Sequence, residues 1–167
     1  MARIAGSLIT ALALSAAALT FPSSPVAAET LSIAPRAAGV VRLRSANGFD
    51  ETVARLKGDV QAKGIRYFDT IDQAALGASA DLELRRSTLV LFGNPPLGVQ
   101  FLQSNPYSGL DWPVRMLVIE EADGSVYVAW TDFAFIAERY SIDDRDAQFR
   151  MASEVAASIA AAATTAG

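Results

Sequence analysis

Carboxylates are the only side chains here that could carry acid–base chemistry, because the 167 residues include no histidine and no cysteine. That absence removes any Ser-His-Asp or Cys-His pair, the usual haem ligands and an ordinary zinc site. No group titrates near neutrality by default, so a catalytic proton would have to move through an Asp or Glu whose pKa is raised by burial. Asp111 is the acid best placed for this: it follows Gly109 and adjoins Trp112. It could line a cleft with Asn94 and Asn105, whose amides donate and accept in fixed directions. The simpler reading is that all three order their own loops through local backbone bonds. Tyr67, with Tyr127 and Trp130, could add an aromatic wall on an exposed sheet face, though core or interface packing explains such residues without a ligand.

The other candidates are weaker. Asp69 and Asp72 lie three apart around a strand end, where odd spacing sends side chains to opposite faces, and Asp72 reads more simply as a helix cap. Asp143, Asp144 and Asp146 suggest a calcium loop but lack its glycine and its distal bidentate Glu. Gly93 and Gly98 have the outer spacing of a phosphate-cradling loop. Val99-Gln100 stand where Lys and Ser or Thr are needed, and Pro95 and Pro96 remove two of the N–H groups that would face an anion. No metal ligand set, no cofactor motif and no catalytic constellation emerges.

The elements that would position these residues follow from periodicity. Val40–Arg44 reads as a first strand, and Phe49, Val53, Leu56 and Val60 recur at helical spacing behind Asp50 and Glu51. Gly64 supplies a left-handed stop. Ile65–Ile71 is a second strand, and Asp72 caps a short helical turn through Leu76. A third strand lies within Leu82–Phe92, where continuous apolar character predicts a central position covered on both faces. Gly93 and Pro95 form a rigid strand-to-helix corner, Asn94 able to cap the helix and Pro95 sitting at its first position. Val114–Ile119 and Ser125–Trp130 form a hairpin around Asp123-Gly124. Val126, Val128 and Trp130 share one of its faces. Phe133–Tyr140 is a short helix. Asp143 or Asp144 caps the last helix, whose Ala-rich tail is expected to fray. The order β-α-β-β-α-β-β-α places an antiparallel sheet against helices, an α+β domain.

The first residues read as an address. Arg3 precedes an apolar run from Ile4 to Leu19, then the Phe21–Pro25 breaker and the small residues Val26-Ala27-Ala28. This pattern predicts a secretory signal peptide cleaved after Ala28. The run of about 16 residues is short for a membrane span, so a periplasmic or secreted product with no stable span is expected. The remainder, about 139 residues, suits one domain that folds by packing without disulfides. Removing Arg3 from the 14 basic residues leaves 13 against 18 acidic ones, a formal net charge of −5. That balance argues against nucleic acid and anionic lipid as partners.

From about Ser45 to Ile142 the sequence resembles the bacterial family known as domain of unknown function 302. Its carriers are Phe49 with Thr52-Val53 and Leu56, Lys63-Gly64-Ile65, Ile71-Asp72 and Leu82-Glu83-Leu84-Arg85. They continue through Phe92-Gly93-Asn94-Pro95, Gly109-Leu110-Asp111 with Pro113, Asp123-Gly124 with Val126, and Ala137-Glu138-Arg139-Tyr140. The resemblance implies a compact α+β domain, similar in layout to TATA-box-binding-protein-like folds and often self-associating, with no established activity. Gln73 stands where many members have His, and Arg86 and Trp112 stand where Pro and Leu are more usual. The chain then divides into a signal peptide (1–28), lead-in and first strand (29–44), the family-like domain (45–142) and a C-terminal helix (143–167).

Together these features point to an exported, non-catalytic domain, a homodimer binding a small molecule or a protein partner. One alternative is a carboxylate-dependent hydrolase or isomerase using Asp111 with Asn94 or Asn105, with Trp112 and Tyr67 among the ligand contacts. Another is an accessory subunit of an envelope complex, docked through the Ala-rich C-terminal helix.

Overall fold

Side chains two apart in the apolar runs build five strands, and those three or four apart build the helices that cover one side of them. The computed structural model describes residues 38–167. The expected signal segment at 1–28, the cleavage point after Ala28 and most of the lead-in therefore lie outside the described residues.

In chain order the elements are strand β1 (Val40–Arg44), helix α1 (Phe49–Ala62), strand β2 (Arg66–Asp72), helix α2 (Gln73–Ser79) and strand β3 (Ser87–Gly93). Helix α3 (Pro95–Ser104), a 3-10 turn (Pro106–Asp111), strands β4 (Val114–Glu120) and β5 (Val126–Thr131), and helices α4 (Phe133–Arg139) and α5 (Asp146–Thr164) complete the domain. The strands pair antiparallel in the order β1-β5-β4-β3-β2. The α+β architecture is as expected, with α2, α4 and the 3-10 turn added to the simpler order.

One sheet face carries the core. Val90 and Phe92 of β3, Met116 and Val118 of β4, and Val128 of β5 are buried with Leu56 and Val60 of α1 and Ile159 of α5. Each such side chain contributes about 1.5–3 kcal/mol on burial. Helix α1 stops where Gly64 takes φ +65 and the Ile65 amide reaches back to the Val60 carbonyl at 3.1 Å, a left-handed helix end that glycine adopts without strain. Asp72 caps α2 as expected, accepting from the Ala75 amide at 3.0 Å. Gly124, at φ +79, closes the β4–β5 turn. Asp123 accepts from the Ser125 amide there at 2.9 Å, a bond that holds its carboxyl below the ordinary aspartate value.

Four expectations need correction. Of the Leu82–Phe92 stretch expected to hold the third strand, only the part from Ser87 is strand: the Leu82 amide bonds to the Gly77 carbonyl at 2.9 Å, so the first residues close α2 and leave Leu82 and Leu84 65% and 55% exposed. The middle strand is β4, and β3 meets the core helices on one face only, with Leu89 and Leu91 half-buried on the other. Neither Asp143 nor Asp144 caps α5. Arg145 precedes that helix without a side-chain cap, because the Asp144 carboxylate is engaged by the Arg145 guanidinium at 2.7 Å.

The fourth is the Ala-rich tail, which does not fray: Ala156, Ala160 and Ala163 are buried where α5 packs along α1, since small side chains let two helices approach closely. The Asn47 amide donates to the carbonyls of Ala163 (3.0 Å) and Thr165 (2.9 Å), satisfying groups that a helix end leaves open. Among the described residues no helix is long and apolar enough to cross a membrane.

Candidate functional site

Asp111 ends the 3-10 turn, just before the cis Trp112–Pro113 bond. Its side chain is only 6% exposed and is fully occupied. The Tyr140 hydroxyl donates to Oδ2 at 2.7 Å, Arg139 donates to the same oxygen at 3.1 Å, and Arg115 pairs with Oδ1. The hydrogen bond to Asp111, reinforced by burial, raises the Tyr140 pKa above its ordinary 10.0. The space beside this cluster, lined by Val114, Thr131, Phe133 and Ile136, amounts to about 10 Å³, room for one water at most. Asp111 thus ties the 3-10 turn to α4 and β4.

Asn105 joins the same assembly from the other side. Its Nδ2 donates to the Tyr140 carbonyl at 2.8 Å, while its Oδ1 accepts from the Tyr107 amide at 3.0 Å. Asn94 lies at the far end of α3. Ten residues of helix at 1.5 Å each separate the two asparagines by about 15 Å. Asn94 is exposed and makes no side-chain cap bond, contrary to expectation; its carbonyl instead accepts from Leu97 (3.0 Å) and Gly98 (2.9 Å).

Trp112 explains the corner glycines. A Cβ on Gly93 or Gly98 would run into its indole, so the strand-to-helix turn carries glycines to admit the ring. Trp112 also meets Phe101 edge-on at 6.3 Å. Tyr67 is elsewhere, donating to Thr70 Oγ1 at 2.8 Å beneath Lys57, whose Nζ lies 5.3 Å from its ring. Register places Tyr67 opposite Phe92 and Trp130 opposite Met116, on the helix-covered face, whereas Tyr127 lies on the other. The three aromatics form no common wall. Of the sequence candidates, Asp111 and Asn105 come together at Tyr140 and leave no cleft between them, while Asn94 and Trp112 share the wall of a separate apolar hollow of about 30 Å³.

Two surfaces were not anticipated. The sheet face opposite the core carries cross-strand rows of apolar residues: Ile71–Leu89–Leu117–Ala129, ending at Arg42, and Ile119–Tyr127, ending at Arg44. All the apolar members of these rows are half-buried, and Gln73 of α2 with Leu84 borders the Ile119 end. The signal was present in the sequence, since apolar residues at both parities of β3 and β4 demand a second cover. The other surface is a groove of about 580 Å³ between α1 and the ends of β2 and β3, with Lys57, Thr70, Asp72, Arg86 and Thr88 among its walls. Its residues come from four separate elements, a convergence that periodicity does not reveal. Gln73, whose Oε1 accepts from Ser87 Oγ at 2.6 Å, stands beside a neighbouring hollow with Glu83, Arg85 and Glu120. Among the described residues no three His, Cys, Asp or Glu side chains cluster to hold a metal.

Residues 41–166 match the family described as domain of unknown function DUF302. A crystal structure of an uncharacterized conserved DUF302 protein from Bacillus stearothermophilus superposes with a TM-score of 0.69 at 14% identity, covering 76% of this chain and 99% of that one. Curated relatives are the fluoride-specific ion channels FluC 1 of Brucella suis and FluC 1 of Brucella abortus, each 33% identical over 104 residues and 62% of this chain. The match spans 41% and 38% of those two proteins, about two-fifths of their length.

Proposed function

This chain belongs to the DUF302 family, and we propose that it is an exported, non-catalytic binding module that pairs with a second copy through the sheet face opposite its core. The observation that carries this reading is the apolar row across that face: a sheet with core on one side normally presents polar residues on the other, and contiguous apolar surface marks an interaction site. Arg42, Arg44 and Arg115 share this face with Asp69, and Arg42 is already paired with Glu121 at 2.6 Å, so the apolar rows rather than the charges drive the pairing.

Sedimentation equilibrium tests this reading. A dimer is expected at micromolar concentration, converted to a folded monomer by Leu117→Asp. A parent protein that is monomeric throughout, or a folded Leu117→Asp variant that still dimerises, would sink it. The export step predicts a mature protein whose mass begins at Glu29.

The Brucella relatives favour a second reading, in which the domain serves as an accessory to an envelope ion channel. The match covers about two-fifths of those channel proteins, and in this reading the channel itself is a separate partner. Deleting the gene should then lower growth at raised fluoride, with restoration by the intact chain; equal growth of deleted and parental cells counts against it.

A further inference from the structure

We propose that the groove between α1 and the β2–β3 ends binds a short peptide of about three residues with free termini. The floor of the groove holds Thr88, which is only 7% exposed and whose hydroxyl makes no hydrogen bond with any described residue. The hydroxyl opens onto the groove, where a ligand group can replace water as its hydrogen-bond partner. Thr70 stands on the same floor, its Oγ1 already accepting from Tyr67 and its own proton left to donate.

The charges set the ligand's polarity. Lys57 forms no ion pair among the described residues. Arg86 at the other end is already paired with Asp50 and lies 4.3 Å from the Phe49 ring. Asp72 uses one oxygen to cap α2 and leaves the other unpartnered among the described residues. The groove therefore has an uncompensated cation at one end and an uncompensated carboxylate at the other. Lys57 and Asp50 are seven residues apart on α1, about 10 Å along its axis, and Asp72 lies toward the Asp50 end because β2 runs antiparallel to α1. An extended chain advances about 3.3–3.6 Å per residue, so a tripeptide places its carboxylate at Lys57 and its ammonium at Asp72. Its backbone amides then reach the two threonine hydroxyls, and small side chains lie on Val53 and Ala54.

Trialanine is the probe, titrated to about 10 mM against the purified protein with amide chemical shifts as the readout. Saturable shifts centred on Lys57, Thr70 and Thr88 are expected. N-acetylation or C-amidation should each weaken binding about tenfold, equivalent to about 1.4 kcal/mol. Lys57→Ala should erase the effect of amidation, and Thr88→Val should weaken binding without unfolding the domain. No saturable shift, equal binding of the doubly blocked peptide, or tighter binding of the dicarboxylate glutarate would overturn the proposal. The groove lies on the opposite side of the sheet from the dimer face, so its failure leaves the oligomeric state unaffected.

Discussion

Replacing Asp111 by alanine should cost stability and nothing else, and its contacts set the size of the loss. Arg115 and Arg139 are 43% and 49% exposed, so both rehydrate when the carboxylate is removed. Pairs of that kind contribute about 0–1 kcal/mol each. Tyr140 is different: it is buried, and its hydroxyl loses its acceptor, a defect of about 1–3 kcal/mol. Together the loss is about 2–3 kcal/mol. For a domain of this size that lowers Tm by about 10 °C. Asp111→Asn keeps a carbonyl oxygen for Tyr140 and should lose about half as much. Thermal and urea unfolding, followed by circular dichroism, measure both. If Asp111→Ala unfolds within about 0.5 kcal/mol of the parent, the carboxylate is not the tie described, and an unoccupied acid regains its claim to chemistry.

Three further outcomes follow from neighbouring contacts. The raised Tyr140 pKa means the folded state favours the neutral phenol, so its stabilisation is complete below the unfolded value near 10 and fades as pH rises through the folded value. Tyr140→Phe should therefore be less stable than the parent at pH 8, by about 1–2 kcal/mol, with the gap closing in urea titrations above pH 10. Gly98→Ala drives a methyl into the Trp112 indole; a loss of about 1–3 kcal/mol and a changed tryptophan fluorescence are expected, and an unaltered spectrum would contradict that packing. Ala160→Leu overfills the α1–α5 contact, and a loss of similar size in urea unfolding separates a packed tail from a frayed one.

Much of the fold was legible because local rules dominate it. The Gly64 stop, the Asp72 cap and the Asp123-Gly124 turn are each decided by one or two residues, and all stand where the pattern put them. Some errors came where tertiary contact overrides local preference. Alanines that would fray in isolation are held by α1 and by the Asn47 amide; the Asp144 cap failed for a local reason instead, its carboxylate being taken by the adjacent Arg145. The candidate site was the least legible part. Asn94, Asn105 and Asp111 are close in sequence terms, yet ten residues of helix hold the first away from the others. Arg115 lies only four residues from Asp111, but Arg139 and Tyr140, which complete its occupation, lie 28 and 29 residues away, distances that spacing alone does not connect.

The alternation of β3 gives the two proposed surfaces a common test. Thr88, Val90 and Phe92 point to the helix-covered side, and Leu89 and Leu91 to the opposite side, because successive strand residues face opposite ways. Thr88→Val should change peptide binding and leave association as it is, while Leu89→Asp should disrupt association and leave trialanine shifts in place. The two substitutions are adjacent in the chain, so any disturbance of the strand itself would move both readouts together. Separate responses therefore require two distinct surfaces. If Leu89→Asp abolished the peptide response while the domain stayed folded, the groove would depend on the dimer, and a sheet acting as a barrier between independent faces would be the wrong picture.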